Sequence, residues 1–185
     1  MDRKKIERAV KMIIEAVGAN LNKKDLLTTP RRVAQMYEEI LKGEKKSPEK
    51  ELDAILEQKH DEIILLKDIP LYSLCEHHLL PFIGKVHIAY IPDRRITGLS
   101  KIVRVVETLS SRLQVQERLT TQIADVIMKK LKPKGVMVVI EAEHLCISMR
   151  GVKKPGVKVV TSVVRGIFRK NQKTRQESLN LIFSK

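Results

Sequence analysis

The sequence predicts an α+β protein in which a helical segment precedes a sheet covered by two helices. Three observations lead to this class. Helical periodicity fills the first part of the chain, β-forming runs appear only after residue 60, and two amphipathic helices lie between two pairs of strands. This order favours an antiparallel sheet with a helix pair on one face over a parallel doubly wound sheet. We place the domain boundary near residue 60.

The N-terminal helical arm, predicted over residues 1–59, contains two strongly periodic helices and a weaker third one. In the first, apolar residues recur at helical spacing from Ile6 to Val17, and Gly18 stands where a helix would stop. The second is predicted to begin with Thr29 as N-cap and Pro30 at the first helical position. The third, a short amphipathic helix, is predicted to carry three apolar residues on one side: Leu52, Ile55 and Leu56.

The second domain, predicted over residues 60–185, alternates β-forming and helical stretches. Predicted strands cover 63–66, 86–91, 136–140 with a continuation to Cys146, and 157–168. Predicted helices cover a stretch capped by Ser100, residues 116–131 and residues 174–183. Hairpin-like strands on either side of a helix pair in the sequence are typical of a two-layer fold, with one layer of helices packed on one sheet.

Composition and charge narrow the function without deciding it. The formal net charge is +14, from 36 Lys and Arg against 22 Asp and Glu, which predicts an anionic partner or simply good solubility. Nucleic acid and a phosphorylated small molecule both fit, although 3 Tyr, 3 Phe and no Trp leave few platforms for stacking bases. The N-terminus has no apolar stretch typical of a secretory signal, and no run is long enough to span a membrane. We expect a cytoplasmic protein.

Both cysteines and three of the five histidines fall in two short windows. Cys75 and His78 are three residues apart, so a tight turn can direct both at one point. If the strand from 136 continues, His144 and Cys146 project from the same face. Zinc takes thiolate and imidazole ligands, and a catalytic site keeps one position for water whereas a structural site has four protein ligands. Three ligands with His77 and His144 beside them favour catalysis.

Alternatives to this zinc site stay open at this point. His77 or His144 could be a fourth ligand of a purely structural metal, and the cysteines could be buried apolar thiols. The remaining histidines, His60 and His87, have no partners in the sequence and are expected at the surface or in the core.

Two further clusters fit a phosphorylated purine. Ser100 with Lys101 and Arg104 at a helix start would form an anion seat, and Arg150 would join the same basic lining. Gln116 and Glu117 begin the next helix. A carboxylate there can complement the helix dipole, or it can accept two parallel bonds from an edge such as guanine's N1–H and amine.

These residues resemble the GTP cyclohydrolase I family. The resemblance rests on Cys-Glu-His-His-Leu-Leu-Pro-Phe at 75–82, Gly-Leu-Ser-Lys at 98–101, Gln-Val-Gln-Glu-Arg-Leu-Thr at 114–120, His-Leu-Cys at 144–146, Met-Arg-Gly at 149–151 and Thr-Ser at 161–162. It covers roughly residues 60–185, and the arm's Thr-Pro-Arg-Arg-Val at 29–33 is similar as well. No functional position of the family pattern is replaced.

The resemblance implies a tunnelling fold, in which subunit sheets close into a ring and two pentamers stack into a homodecamer with active sites between subunits. The implied reaction opens the guanine ring of GTP at C8 by zinc-dependent hydrolysis, releases formate and yields 7,8-dihydroneopterin triphosphate for folate or pterin synthesis. No nucleic acid and no membrane would be involved.

The implied residue roles follow the family motifs. The implied zinc ligands are Cys75, His78 and Cys146, and the implied proton-transfer residues are His144 and His77. The implied guanine anchor is Glu117, helped by Gln116, and the implied triphosphate ligands are Ser100, Lys101, Arg104 and Arg150. Two competing readings are a nitrile reductase of the same fold, which would need a metal-free nucleophilic cysteine, and a basic nucleic-acid-binding protein with a structural zinc.

Overall fold

The computed structural model describes residues 1–53 and 55–184. Within this range the chain forms two compact units, Met1–Lys42 and Gly43–Lys185. The segment from residue 43 to 59 therefore groups with the second unit, whereas the sequence assigned it to the helical arm. The boundary near residue 60 stays a prediction about domain organisation.

The first unit consists of two helices that pack against each other, α1 (Arg3–Ala16) and α2 (Thr29–Ile40). Both helices match the prediction. The expected cap of α2 differs, because Thr28 occupies the N-cap position without a side-chain cap bond. Thr29 is already helical, and its hydroxyl donates to the Asp25 carbonyl at 3.5 Å. Pro30 lies in the first turn, as its missing N–H allows.

The second unit begins with a 3₁₀ helix, Pro48–Leu52, and then contains seven strands and five helices among the described residues. The strands are β1 (Ile55–Glu57), β2 (Ile64–Cys75), β3 (Pro81–Ile91), β4 (Arg95–Thr97), β5 (Leu113–Gln114), β6 (Gly135–His144) and β7 (Lys158–Gly166). The helices are α3 (Leu99–Ser110), α4 (Gln116–Leu131), α5 (Leu145–Ser148), α6 (Ile167–Lys170) and α7 (Gln172–Phe183).

Five strands form one sheet in the order β5–β2–β3–β6–β7. Neighbours pair antiparallel, except that the two residues of β5 pair parallel with the end of β2, Cys75 opposite Gln114. The short strands β1 and β4 pair antiparallel in a separate ribbon. The predicted order of strand pair, helix pair and strand pair is therefore confirmed.

The sheet is buried on one face and covered over part of the other. On β3, Phe82, Val86 and Ile88 contribute to the main core beneath α3 and α4, as strand alternation requires. On the opposite face Ala89 and Ile91 pack with residues of α6 and α7. The parts of β3 and β6 that are buried on both faces, residues 86–91 and 135–140, contain nearly continuous apolar runs. The fold has the predicted antiparallel sheet with two long helices on one face.

Three predicted elements are wrong in detail. The expected third helix of the arm is a 3₁₀ helix followed by β1, which pairs with β4; residue 54 lies outside the described residues. Helix α3 starts directly after the β4 ribbon with Gly98 as N-cap, so Ser100 is a first-turn residue and not the cap. Strand β2 extends far beyond residue 66, because a bulge at 67–68 interrupts the apolar alternation without ending the pairing.

A fourth correction concerns the strand that was expected to reach Cys146. Strand β6 ends at His144, and Cys146 lies in the single-turn helix α5. The Glu143 carboxylate accepts from the Ser148 hydroxyl at 2.6 Å and from the Gly156 N–H at 3.1 Å, which closes the chain into a turn at this point. The alternation argument that placed His144 and Cys146 on one face therefore does not apply.

Candidate metal centre and active site

Three potential metal ligands meet where β2 ends and α5 begins. The ligand atoms of Cys75, His78 and Cys146 all lie within 4.8 Å of one another. Cys75 is buried, Cys146 is half-buried, and both thiols are free. His78 belongs to the exposed turn after β2. The structure thus brings together the three side chains that the sequence proposed as a ligand set, although they come from two distant segments.

The local backbone explains how Cys75 and His78 share one point. The Cys75 N–H donates to the Leu80 carbonyl at 2.9 Å, and the Leu79 N–H donates back to the Cys75 carbonyl at 2.9 Å. Leu79 adopts a φ of 54°, in the left-handed region, which lets the chain reverse within a few residues. The turn therefore connects β2 to β3 and leaves His78 beside the Cys75 thiol.

The electrostatics of the cluster fit a cation. Burial raises the pKa of the Cys146 thiol, and the neighbouring Cys75 raises this pKa further. Two thiolates at this separation repel each other unless a positive charge lies between them. Two sulfurs and one imidazole nitrogen are a donor set that suits zinc. Among residues 1–53 and 55–184, no other group of three His, Cys, Asp or Glu side chains meets at this distance.

The two remaining histidines of the windows flank this cluster. His77 Nδ1 is 3.8 Å from the Cys75 sulfur, and the ring is largely exposed. His144 lies at the end of β6, where its ring stacks on Phe82 with centroids 4.7 Å apart and an angle of 5°. Burial lowers the pKa of His144, while the charge of Glu117 acts in the opposite direction. Neither histidine belongs to the three-residue cluster.

Gln116 holds the His144 ring from the side. Its Oε1 lies 2.7 Å from His144 Nε2. Its Nε2 lies 3.1 Å from the Ile140 carbonyl, 3.0 Å from the Val159 carbonyl and 3.0 Å from Thr161 Oγ1. These three acceptors identify the nitrogen of the amide, so the oxygen faces His144. Gln116 is 1% exposed; its predicted contact with guanine stays a prediction, and its observed contact is with His144.

The other predicted binding residues are exposed or partly exposed. Glu117 is in the first turn of α4, next to Gln116, and Arg150 follows α5. Ser100 and Arg104 are exposed in the first half of α3. Lys101 is partly exposed, with its Nζ 3.6 Å from Asp53 Oδ1.

The predicted anion seat (Ser100, Lys101 and Arg104) and the Cys-His-Cys cluster lie at opposite ends of α3. The Ser73 hydroxyl, two residues before Cys75, donates to the Ser110 carbonyl at the end of α3 at 2.7 Å. Ser100 is ten residues earlier, which corresponds to about 15 Å along a helix axis. In the described residues, no hydrogen bond or ion pair links Ser100, Lys101 or Arg104 to the three cluster residues. One chain therefore does not bring the two predicted parts of the site together.

Sequence reasoning missed an ion pair next to the cluster. Glu76, the residue after Cys75, pairs with Arg118 of α4. The signal was available, because Glu76 stands between two proposed ligands and Arg118 follows the proposed guanine anchor. The stacking partner Phe82 was also missed, since two residues 62 positions apart give no local pattern.

His60 and His87, the two histidines outside the Cys/His windows, differ in their surroundings. His60 is exposed. His87 is buried in β3, where its Nδ1 accepts from the Asp68 N–H at 3.2 Å and its Nε2 lies 3.6 Å from Glu141 Oε1. Burial lowers the pKa of His87. It lies on the sheet face opposite α3 and α4, so it takes no part in the metal cluster.

The fold and the site define a class: an antiparallel sheet with two helices on one face, of the tunnelling-fold type, with a Cys-His-Cys group at the end of its second strand that could hold a metal ion. Within the described residues, no helix has the length and apolar character needed to cross a membrane.

Comparison with known proteins narrows the class to one family. The family model described as GTP cyclohydrolase I matches residues 6–183. A protein named GTP cyclohydrolase 1 from Pelotomaculum thermopropionicum is 59% identical over 182 residues, which cover 98% of this chain and 97% of that protein. One of the same name from Carboxydothermus hydrogenoformans is 57% identical, covering 98% and 95%. The chain belongs to the GTP cyclohydrolase I family.

A solved structure described as the archaeosine synthase QueF-Like in the apo form is also similar. It is 17% identical, with a TM-score of 0.46 over 58% of this chain and 97% of that one. A likeness at this level adds nothing to the assignment.

Proposed function

We propose that this protein is a zinc-dependent GTP cyclohydrolase I. It hydrolyses the guanine ring of GTP at C8, releases formate and yields 7,8-dihydroneopterin triphosphate, the first step of folate and pterin synthesis. The observation that supports this most directly is the cluster of Cys75, His78 and Cys146, whose ligand atoms lie within 4.8 Å of one another. Three protein ligands leave one position of a tetrahedral ion for water, as catalytic zinc requires.

The protein residues would divide the chemistry among themselves. Cys75, His78 and Cys146 would hold the zinc. When bound, zinc supplies a Lewis acid that lowers the pKa of a water molecule and polarises the bond under attack. His144, fixed by Phe82 and Gln116, would deliver a proton to the ring nitrogen next to C8.

His77 has a different place in this scheme. Its ring is largely exposed, with its Nδ1 3.8 Å from the Cys75 sulfur. It would assist proton transfer in ring opening or in the later hydrolysis that releases formate. Histidine suits this task because its ordinary pKa lies near neutrality.

GTP would be held at both of its ends. The Glu117 carboxylate would accept from the N1–H and the exocyclic amine of guanine, a pair of parallel donors that adenine lacks. Arg150 would contact the triphosphate from the same chain. Ser100, Lys101 and Arg104 would contact it from a neighbouring chain, because in their own chain they lie at the far end of α3. Charge-assisted bonds from Lys and Arg are the strong type for phosphate.

The shared site makes oligomerisation part of the proposal. A site completed by a neighbour repeats around a ring when each chain gives one part to the next and receives the other from the one before. We propose the homodecamer of two stacked pentamers that the family resemblance implies. We also propose a cytoplasmic location, where GTP is available, with neither nucleic acid nor a membrane as partner.

The direct test is incubation of the zinc-loaded protein with GTP. We expect one equivalent of formate per GTP consumed, and a product that becomes a fluorescent pterin after oxidation. ATP is the matched control substrate, because it has the same triphosphate but lacks the guanine edge, and should give neither product. Absence of both products with GTP, while zinc content is stoichiometric, would contradict the proposal.

A further inference from the structure

We propose that Arg118 is a positioning residue of this enzyme: through Glu76 it fixes the turn that carries His78 against the first turn of α4. The inference rests on the proposed zinc function of Cys75, His78 and Cys146. Neither Arg118 nor Glu76 is assigned a contact with GTP or with the metal.

The three proposed ligands are held with unequal firmness. Cys75 is buried at the end of β2, and Cys146 is half-buried in α5. His78 is exposed in the turn between β2 and β3, so packing does little to fix its position. Its N–H lies 3.4 Å from the Cys75 carbonyl, a long bond. The turn is closed by its own backbone bonds at Cys75 and Leu79, and the stretch between them gains further contacts from outside the turn.

Glu76 provides those contacts. Its N–H donates to the Gln114 carbonyl at 3.0 Å, which extends the pairing of β2 with β5. Its carboxylate receives two bonds from the Arg118 guanidinium, Nη2 to Oε2 and Nη1 to Oε1, the second at 3.4 Å. The Arg118 hydrogen bond lowers the pKa of Glu76. A two-pronged bond of this kind restricts orientation as well as distance.

The other side of Arg118 is also fixed. Its Nε donates to Gln114 Oε1 at 3.2 Å, and its Nη2 lies 3.4 Å from the Leu113 carbonyl. Gln114 is 1% exposed, and its Nε2 donates to the Leu109 carbonyl and to Gln122 Oε1, each at 3.0 Å. The guanidinium thus connects the metal turn to a buried amide that joins α3 and α4.

The position of Arg118 in α4 gives this connection a functional meaning. The first three residues of α4 are Gln116, Glu117 and Arg118. Gln116 contacts His144, Glu117 is the proposed guanine anchor, and Arg118 contacts the metal turn. One helical turn therefore sets the mutual distances of proton donor, substrate anchor and metal ligand. A partly exposed ion pair adds little stability, but small displacements of reacting groups cost large factors in rate.

The test measures zinc affinity and steady-state kinetics in the assembled protein. Zinc affinity is obtained by competition with a chromophoric chelator, a readout that does not need turnover. We expect Arg118→Ala to weaken zinc binding by roughly 10-fold or more, the range typical of residues that orient metal ligands. We expect kcat to fall more than KM rises, because guanine and phosphate contacts are unchanged. Arg118→Lys, which keeps the charge but loses the fork, should fall between Arg118→Ala and the wild type.

Glu76→Gln removes the charge of the other partner in the same ion pair. It provides the test if Arg118→Ala does not assemble. The double variant should bind zinc no more weakly than the weaker of the two single variants, since both substitutions remove the same ion pair. Arg165→Ala is the matched control. Arg165 also pairs with a carboxylate of α4, its Nε donating to Asp125 Oδ1 at 3.0 Å, but this pair does not contact the cluster. The variant should leave zinc affinity and steady-state kinetics unchanged.

Two failures can be told apart. If Arg118→Ala and Glu76→Gln assemble and bind zinc within twofold of the wild type, the positioning role is wrong, whatever the activity. If the wild type binds zinc but never converts GTP, the proposed function is wrong, while the zinc measurements still decide the role of Arg118.

Discussion

The two ends of α3 are built differently. At its C-terminal end, the Ser73 hydroxyl donates to the Ser110 carbonyl and the Gln114 amide donates to the Leu109 carbonyl, both buried contacts near the proposed metal ligands. At its N-terminal end, Ser100 and Arg104 are exposed. The first end is held within one chain, and the second presents polar groups outward.

The difference separates two requirements of the proposed reaction. Groups that hold a metal and transfer a proton must keep fixed distances, so they are tied to the buried framework. Groups that bind a flexible, charged triphosphate can stay exposed until the ligand and a neighbouring chain arrive. If this division is correct, changes at the metal end act on metal binding and kcat, and changes at the other end act on substrate affinity.

The largest expected effect is at the metal end. Cys146→Ala should remove stoichiometric zinc and GTP turnover together, because two ligands do not form a stable zinc site. His144→Ala should keep its zinc and lose ring opening. Zinc content by atomic absorption and formate release measure the two outcomes separately. Loss of metal in His144→Ala as complete as in Cys146→Ala would make His144 a ligand and the three-ligand assignment wrong.

A subunit-mixing experiment tests whether the two ends of α3 serve different sites. Cys146→Ala and, at GTP concentrations far below its raised KM, Lys101→Ala are each expected to have very low activity alone. After dissociation and reassembly at equal amounts, about a quarter of the sites should combine an intact metal cluster with an intact neighbouring anion seat, since chains mix at random around a closed ring. Formate release should then recover to about that fraction. Mixtures that stay as inactive as the single variants would show that each site is made by one chain.

Gln116 offers a smaller test at the metal end. Gln116→Leu removes the bond to His144 and should lower kcat by roughly 100-fold, the cost of a misplaced proton donor. KM for GTP should change far less. Thr161→Val is the matched control, because it removes a partner of the Gln116 amide nitrogen at 3.0 Å but leaves the His144 bond. A rise in KM with unchanged kcat would instead support the predicted guanine contact of Gln116.

The sequence predicted the fold well wherever periodicity was strong. Helix α4 begins and ends where expected, at Gln116 and Leu131, because its apolar face repeats without interruption. Strand β2 was underestimated, since Lys67 and Asp68 break the alternation at the bulge. The chain around Cys146 was predicted to be a strand because the side-chain bonds that close the turn are not visible in a hydrophobic pattern. They join Glu143 to Ser148 and Gly156, which lie 5 and 13 residues further along the chain.

The three residues of the Cys-His-Cys cluster were predictable from the sequence, but the contacts around them were not. Short spacing brought Cys75 and His78 together, and Cys146 was proposed as the one other cysteine of the sequence. The ion pair of Arg118 with Glu76 depends on two segments 42 residues apart, and no local pattern encodes it. Likewise the distance between the anion seat and the cluster follows only from how α3 lies on the sheet.

The smallest expected effect compares two serines at the two ends of α3. Ser73→Ala removes the buried bond to the Ser110 carbonyl and should cost about 1 kcal/mol of unfolding free energy, which for a chain of this size lowers the melting temperature by about 2–4 °C. Ser100→Ala should leave the melting temperature unchanged, because the exposed hydroxyl makes no such bond within residues 1–53 and 55–184, but should raise KM for GTP severalfold. Thermal unfolding without ligand and steady-state kinetics give the two readouts. Equal stability losses at both serines would mean that the N-terminal end of α3 is as firmly held as the metal end, which contradicts the division drawn from the hydrogen bonds.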